Sequence, residues 1–146
     1  MKKYKKIPFV GAVMSPFPHF VDTDDEIAKV ERLMAEHHIH HIPVQQDGRV
    51  VGVVSERDLS HLLERFVPET DRGRIRAREI MRDEPYIVAF DTPLNDVARE
   101  MAKGHIGSVI VLHHEKLAGI LSANDICRIL ADIFESEFSS PGDDAA

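Results

Sequence analysis

The runs SERD, Ser55 to Asp58, and SAND, Ser122 to Asp125, each place a hydroxyl and a carboxylate three residues apart. That spacing closes a capping box at a helix start. The serine oxygen takes a backbone N–H from three residues on, and the acid takes the one at the cap. The acid also sits where the positive end of the helix dipole favours it. The same geometry suits a ligand, because a helix N-terminus offers unused N–H donors and positive potential to a phosphate. Ser55 would add a hydroxyl there and Arg57 a guanidinium. SAND has Asn124 where SERD has Arg57, so the second site should hold phosphate less well unless Arg57 or His41 reaches across.

A second cluster is EHHIHHIPV, Glu36 to Val44, with His37, His38, His40 and His41 in one run. His37 and His41 have the i, i+4 spacing of metal ligands on a helix. Pro43, however, drives Ile42 out of the helical region, so the helix should end near His38. Strand alternation then sends His40 and His41 to opposite faces. Bringing such a set within about 2 Å of one ion is sterically awkward, which leaves a metal sensor on His37, His40 and His41 as an alternative only. Cys127 lies among Ile126, Ile129 and Leu130 on a predicted helix, with no base placed beside it by any motif. It is expected to be a buried structural thiol rather than a nucleophile.

The elements that position these residues come in two copies. Residues 14–59 align with 81–126 at a shift of 67, without a gap and with 14 identities in 46 positions. Among them are Met14 with Met81, His38 with His105, Gly52 with Gly119, Ser55 with Ser122 and Asp58 with Asp125. Such self-similarity marks a tandem duplication. Each copy opens with a short β segment, HFVD or YIVA. A helix follows, with Thr23 or Asp24 as cap in the first copy and Asp91 or Thr92 in the second, where Pro93 takes the first helical position. Apolar spacings of three and four make both helices amphipathic. Two strands come next, HIPV with RVVGVVS and SVIVL with KLAGILS, and the last helices begin at Ser55 and Ser122. The order is β-α-β-β-α, twice. A single copy is too small for a secure core, so the halves should pack together.

Two such copies, each with a Gly-hydrophobic-hydrophobic-Ser strand end and an Asp three residues after the Ser, resemble a tandem pair of cystathionine-β-synthase (CBS) domains. The likeness covers about residues 10–135, close in HIPVQQDGRVVGVVSERDL and looser in SVIVLHHEKLAGILSANDI. It implies an α/β fold of α+β-like character, with the two repeats related by pseudo-two-fold symmetry in one compact module. Repeat 1 would span 10–66 and repeat 2 77–135, with a linker at 67–76 and a disordered tail at 136–146. It also implies an adenosine-containing ligand in the clefts between repeats: AMP, ADP, ATP, S-adenosylmethionine or NAD. Asp58 and Asp125 would then take ribose hydroxyls beside Ser55 and Ser122, and His41 would face the phosphate with Arg57. Val21, Ile42 and Pro43 would border the adenine edge through backbone groups, although strand residues of this kind are mostly core. Asp22 fits either a cleft mouth or solvent.

Composition narrows the classes. The 146 residues are 43% hydrophobic and 29% charged, as in an ordinary globular protein. A net charge of -7 opposes a main role in gripping nucleic acid. No apolar run reaches the roughly 20 residues of a membrane span, and MKKYKKIPFVGAVM is too short and Pro-interrupted for a signal peptide. One cysteine fits a reducing cytoplasm. The aliphatic faces at Leu59, Leu62, Leu63 and Phe66, and at Ile126, Ile129, Leu130, Ile133 and Phe134, point to a helix-mediated homodimer. No nucleophile with a base, P-loop or acid pair is present, so the expected role is non-enzymatic. The leading expectation is a sensor of adenine nucleotides acting on a separate effector protein. A ligand-free interaction dimer is the alternative.

Overall fold

The computed structural model describes residues 6–65 and 73–138. A 3₁₀ turn at Val10–Ala12 leads into β1 (Ser15–Pro16), β2 (Val21–Asp22), α1 (Ile27–His37), β3 (His41–Gln46), β4 (Arg49–Ser55) and α2 (Glu56–Glu64). The series then returns as α3 (Ala77–Ile80), β5 (Arg82–Asp83), β6 (Ile87–Ala89), α4 (Leu94–Gly104), β7 (Ser108–His113), β8 (Lys116–Ser122) and α5 (Ala123–Glu137). Both copies bulge at the same point, between Val44 and Gln45 and between Val111 and Leu112.

The two sheets run β2-β3-β4-β5 and β1-β8-β7-β6, so each accepts its edge strand from the other copy. The segment ahead of each repeat crosses with it. Val10 is fully buried in the second core, beside Val97, Val109, Val111 and Leu121. Ala77 is fully buried in the first, beside Ile27, Val30, Ile42 and Val54. The repeated Met and Gly explain each other: a Cβ on Gly52 would overlap the Met81 sulfur, and one on Gly119 the Met14 sulfur. Only glycine lets the crossing strand lie that close.

Crossing also relocates the helix starts. Thr23 or Asp24 and Asp91 or Thr92 are not the caps; the cap positions are Glu26 and Pro93, neither with a side-chain cap bond. The incoming backbone takes that role. Ile27 N donates to Ile75 O at 3.2 Å and Leu94 N to Pro8 O at 2.9 Å, so the first orphan donor of each helix is met by a segment that opens the other copy. Ile75 and Arg76, expected in the linker, are therefore part of the first half. Of the other expected linker residues, 67–72 lie outside the described residues, as does Phe66. Ser136 and Glu137, expected in a disordered tail, instead end α5, and Phe138 packs edge-on against Phe134. Residues 139–146 lie outside the described residues. Among the described residues no helix is long and apolar enough to cross a membrane.

Candidate functional site: a cleft between the repeats

The capping boxes form at both helix starts. Asp58 N donates to Ser55 Oγ at 3.1 Å and Ser55 N to Asp58 Oδ2 at 3.3 Å. Asp125 N donates to Ser122 Oγ at 3.0 Å and Ser122 N to Asp125 Oδ2 at 2.8 Å. Beyond the caps the two differ. Asp125 Oδ1 accepts from Arg128 at 3.2 Å, whereas Asp58 Oδ1 has no partner among the described residues. Asp58 therefore keeps one carboxylate oxygen for an incoming donor, and its side chain is only 20% exposed.

Asp58 lies in a cleft of about 880 Å³ between the repeats, a size that suits a nucleotide. Ser55, Arg57 and His41 line it from the first copy. Arg82, Tyr86, Ile87 and Gly107 line it from the second. The crossing strand makes this possible, since β5 carries Arg82 onto the first copy's sheet, where its Nε lies 3.7 Å from Asp58 Oδ2. Arg82 and Tyr86 escape the sequence reading because they belong to the neighbouring repeat. The signal available was a basic residue directly after the repeated Met81. Ser122 and Asp125 lie outside this cleft, at the start of α5. Val21, Ile42 and Pro43 do not line it either: Val21 and Ile42 are core side chains, 1% and 0% exposed, and Pro43 is buried with them.

The four neighbouring histidines go separate ways. His37 stacks on His19 with ring centroids 3.7 Å apart. His38 is the left-handed C-cap of α1 (φ 52°), as His105 is of α4 (φ 53°), which accounts for their recurrence. His40 pairs with Glu56, both largely exposed, a contact of small energetic weight. His41 stands opposite Ser55 in the strand register, half-buried at the cleft. Burial holds its imidazole below the ordinary pKa of 6.5, His40 and Arg82 push the same way, and Asp125 and Asp58 oppose them. Cys127, expected to be buried, is exposed on the outer face of α5.

Because His41 binds its proton less readily folded than unfolded, its neutral form stabilises the fold above about pH 6.5. That contribution is lost as pH falls below the unfolded value towards the depressed folded one. The unfolding midpoint of the ligand-free chain is thus expected to drop between about pH 7 and 5.5, and more shallowly in His41→Gln. Thermal scans of both proteins across that window check it.

Crossed edge strands, paired Ser-x-x-Asp caps and a shared cleft define a tandem α/β module of the CBS type. The chain belongs to the CBS domain family, whose model matches residues 10–65 and again 77–132. It is 26% identical over 125 residues to the L-aspartate semialdehyde sulfurtransferase of Methanocaldococcus jannaschii, covering 84% of this chain and 23% of that one. The chain spans only about a quarter to a third of the first curated relatives that it matches (36%, 23% and 31%). Among solved structures, the AcuB protein of Vibrio cholerae superposes with a TM-score of 0.77 at 26% identity, over 93% of this chain and 100% of that one. CBSX2 in complex with AMP superposes with a TM-score of 0.71 at 26% identity, over 86% and 97%.

Proposed function

We propose that this chain is a non-enzymatic, cytoplasmic sensor that binds an adenine nucleotide in the inter-repeat cleft and passes the change in packing to an effector protein. The observation that carries the reading is the open Oδ1 of Asp58, set at a helix N-terminus between Arg57 and Arg82. A ribose diol donates to the carboxylate; the phosphate meets the N-terminus of α2, the two guanidiniums and His41. Tyr86 and Ile87 give the base a face to lie on. The AMP bound to CBSX2 supports the ligand class, which also includes ADP, ATP, NAD and S-adenosylmethionine. Since the cleft is lined both by β5 of one sheet and by Ile87 of β6 in the other, a ligand that prefers one packing of the halves shifts their balance by its differential affinity.

Thermal unfolding of the nucleotide-free chain against AMP, ADP, ATP, NAD and S-adenosylmethionine tests this. At one hundred times Kd a native-state ligand adds about 2.7 kcal/mol, so the midpoint should climb with at least one of them. A flat response to all five sinks the sensor and favours an interaction dimer with the capping boxes acting as caps alone.

That second reading has its own observation, and a dimer also fits the sensor. Cys127, Leu130, Phe134 and Phe138 line one stripe of α5 and stay exposed, Phe134 at 53% and Phe138 at 65%. A second copy covering this stripe would remove the exposure. Sedimentation should then report a dimer for the native chain and a monomer for Phe134→Glu; one unchanged mass for both would remove α5 from any interface.

A further inference from the structure

His41 stands at the seam of the two repeats. On one side its strand pairs it with Ser55, the cap of α2. On the other, its Nε2 lies 3.4 Å from the position a Cβ on Gly107 would take. Gly107 supplies the carbonyl that accepts Ala123 N at 2.9 Å, the first N–H of α5. The ring thus lies near the N-termini of α2 and α5, and Asp58 and Asp125, one from each, both attract its proton. His40 adjoins it in sequence and is held by Glu56, while Arg82 of β5 repels the proton. Arg57 lines the same cleft from α2, with Asp83 and Glu84 beyond β5 and His105 across the seam.

We propose that the proton on His41 decides which adenosine ligand the module accepts, favouring phosphate-bearing ligands when it is present and ceasing to oppose cationic ones when it is absent. The inference rests on the adenosine-ligand reading above. In the free chain burial and the Arg82 guanidinium favour the neutral ring. A phosphate arriving at α2 supplies the missing counter-charge and draws a proton onto the imidazole. Linkage then requires phosphate affinity to rise as pH falls. S-adenosylmethionine, whose sulfonium is itself positive, gains nothing from that proton. The histidine at the seam therefore adds to the cleft a charge that pH sets, whereas Arg57 supplies a fixed one.

The test is calorimetry of AMP, ATP and S-adenosylmethionine in two buffers of different ionisation enthalpy, between about pH 8 and 7. In that range the AMP phosphate, with its second pKa near 6, stays a dianion. The native chain is expected to take up a substantial fraction of one proton per AMP. Its affinity should tighten several-fold, at most about tenfold, for each unit fall in pH. S-adenosylmethionine should take up none, and His41→Gln should lose the uptake. AMP or ATP binding without proton uptake, or uptake unchanged in His41→Gln, overturns this inference and leaves the adenosine-ligand reading standing. No binding of any of the three overturns both. Should the variant fail to fold, imidazole NMR of the native chain decides, since a His41 pKa that does not rise on AMP saturation contradicts the inference.

Discussion

Replacing Asp58 with asparagine is expected to weaken adenosine-ligand binding by about 2–3 kcal/mol, roughly 30- to 150-fold, with little loss of stability. Asparagine keeps an oxygen that can accept from Ser55 N, so the capping geometry survives. What disappears is the negative charge facing the cleft, and with it the charge-assisted bonds to a ribose diol. Alanine would remove both, adding about 1 kcal/mol of capping loss to the ligand effect. Asp125→Asn should cost ligand binding less, because Asp125 Oδ1 already has Arg128 as a partner. Calorimetric Kd values and unfolding midpoints, measured on the same preparations, separate ligand loss from cap loss. Native affinity in Asp58→Asn would reduce the carboxylate to a helix cap.

Ile42→Ala in the first core and Leu121→Ala in the second should each cost about 2–5 kcal/mol, since both side chains are wholly buried. Against a total stability of about 5–15 kcal/mol these are large losses. The more telling expectation is that each variant keeps a single unfolding transition. Val10 and Met14 open the first repeat yet pack in the second core, and Ala77 and Met81 open the second repeat yet pack in the first. Neither half can unfold without stripping a strand from the other. Differential scanning calorimetry checks this directly. Two transitions in Ile42→Ala, one of them at the native temperature, would make the halves independent and leave the cleft nothing to transmit.

Much of this architecture is legible in the sequence because it repeats. The gap-free shift of 67 fixes the order of elements, and the recurring Ser-x-x-Asp and His-Ile pairs mark helix starts and ends that the structure places where periodicity puts them. The exchange of edge strands is invisible to the same reading. Met14–Gly119 and Met81–Gly52 are contacts between copies, and alignment of a repeat with itself sets each Met beside its equivalent rather than beside its partner. The caps at Glu26 and Pro93 are hidden from it for that reason, as backbone from the other copy takes the work of a cap side chain. Site residues follow the same division. Ser55, Arg57, Asp58 and His41 share one cleft because β3, β4 and α2 are contiguous, while Arg82 and Tyr86 arrive on a strand whose destination no local pattern states. Val21, Ile42 and Pro43 have the buried side chains that their strand pattern predicts, which leaves only their backbone groups for an adenine edge. Cys127 was misjudged because α5 carries two apolar faces, and sequence alone does not say which one the fold covers.

Binding of an adenosine ligand in the inter-repeat cleft, with its ribose on Asp58, is what the cleft geometry favours. Backbone amide NMR of the chain titrated with AMP measures this most directly. The amides of Ser55 to Asp58, of Arg82 to Glu84 and of Tyr86 and Ile87, from the two copies, should shift together along one saturable curve. AMP that binds while leaving both segments still, or that moves only surface amides without saturation, would contradict it.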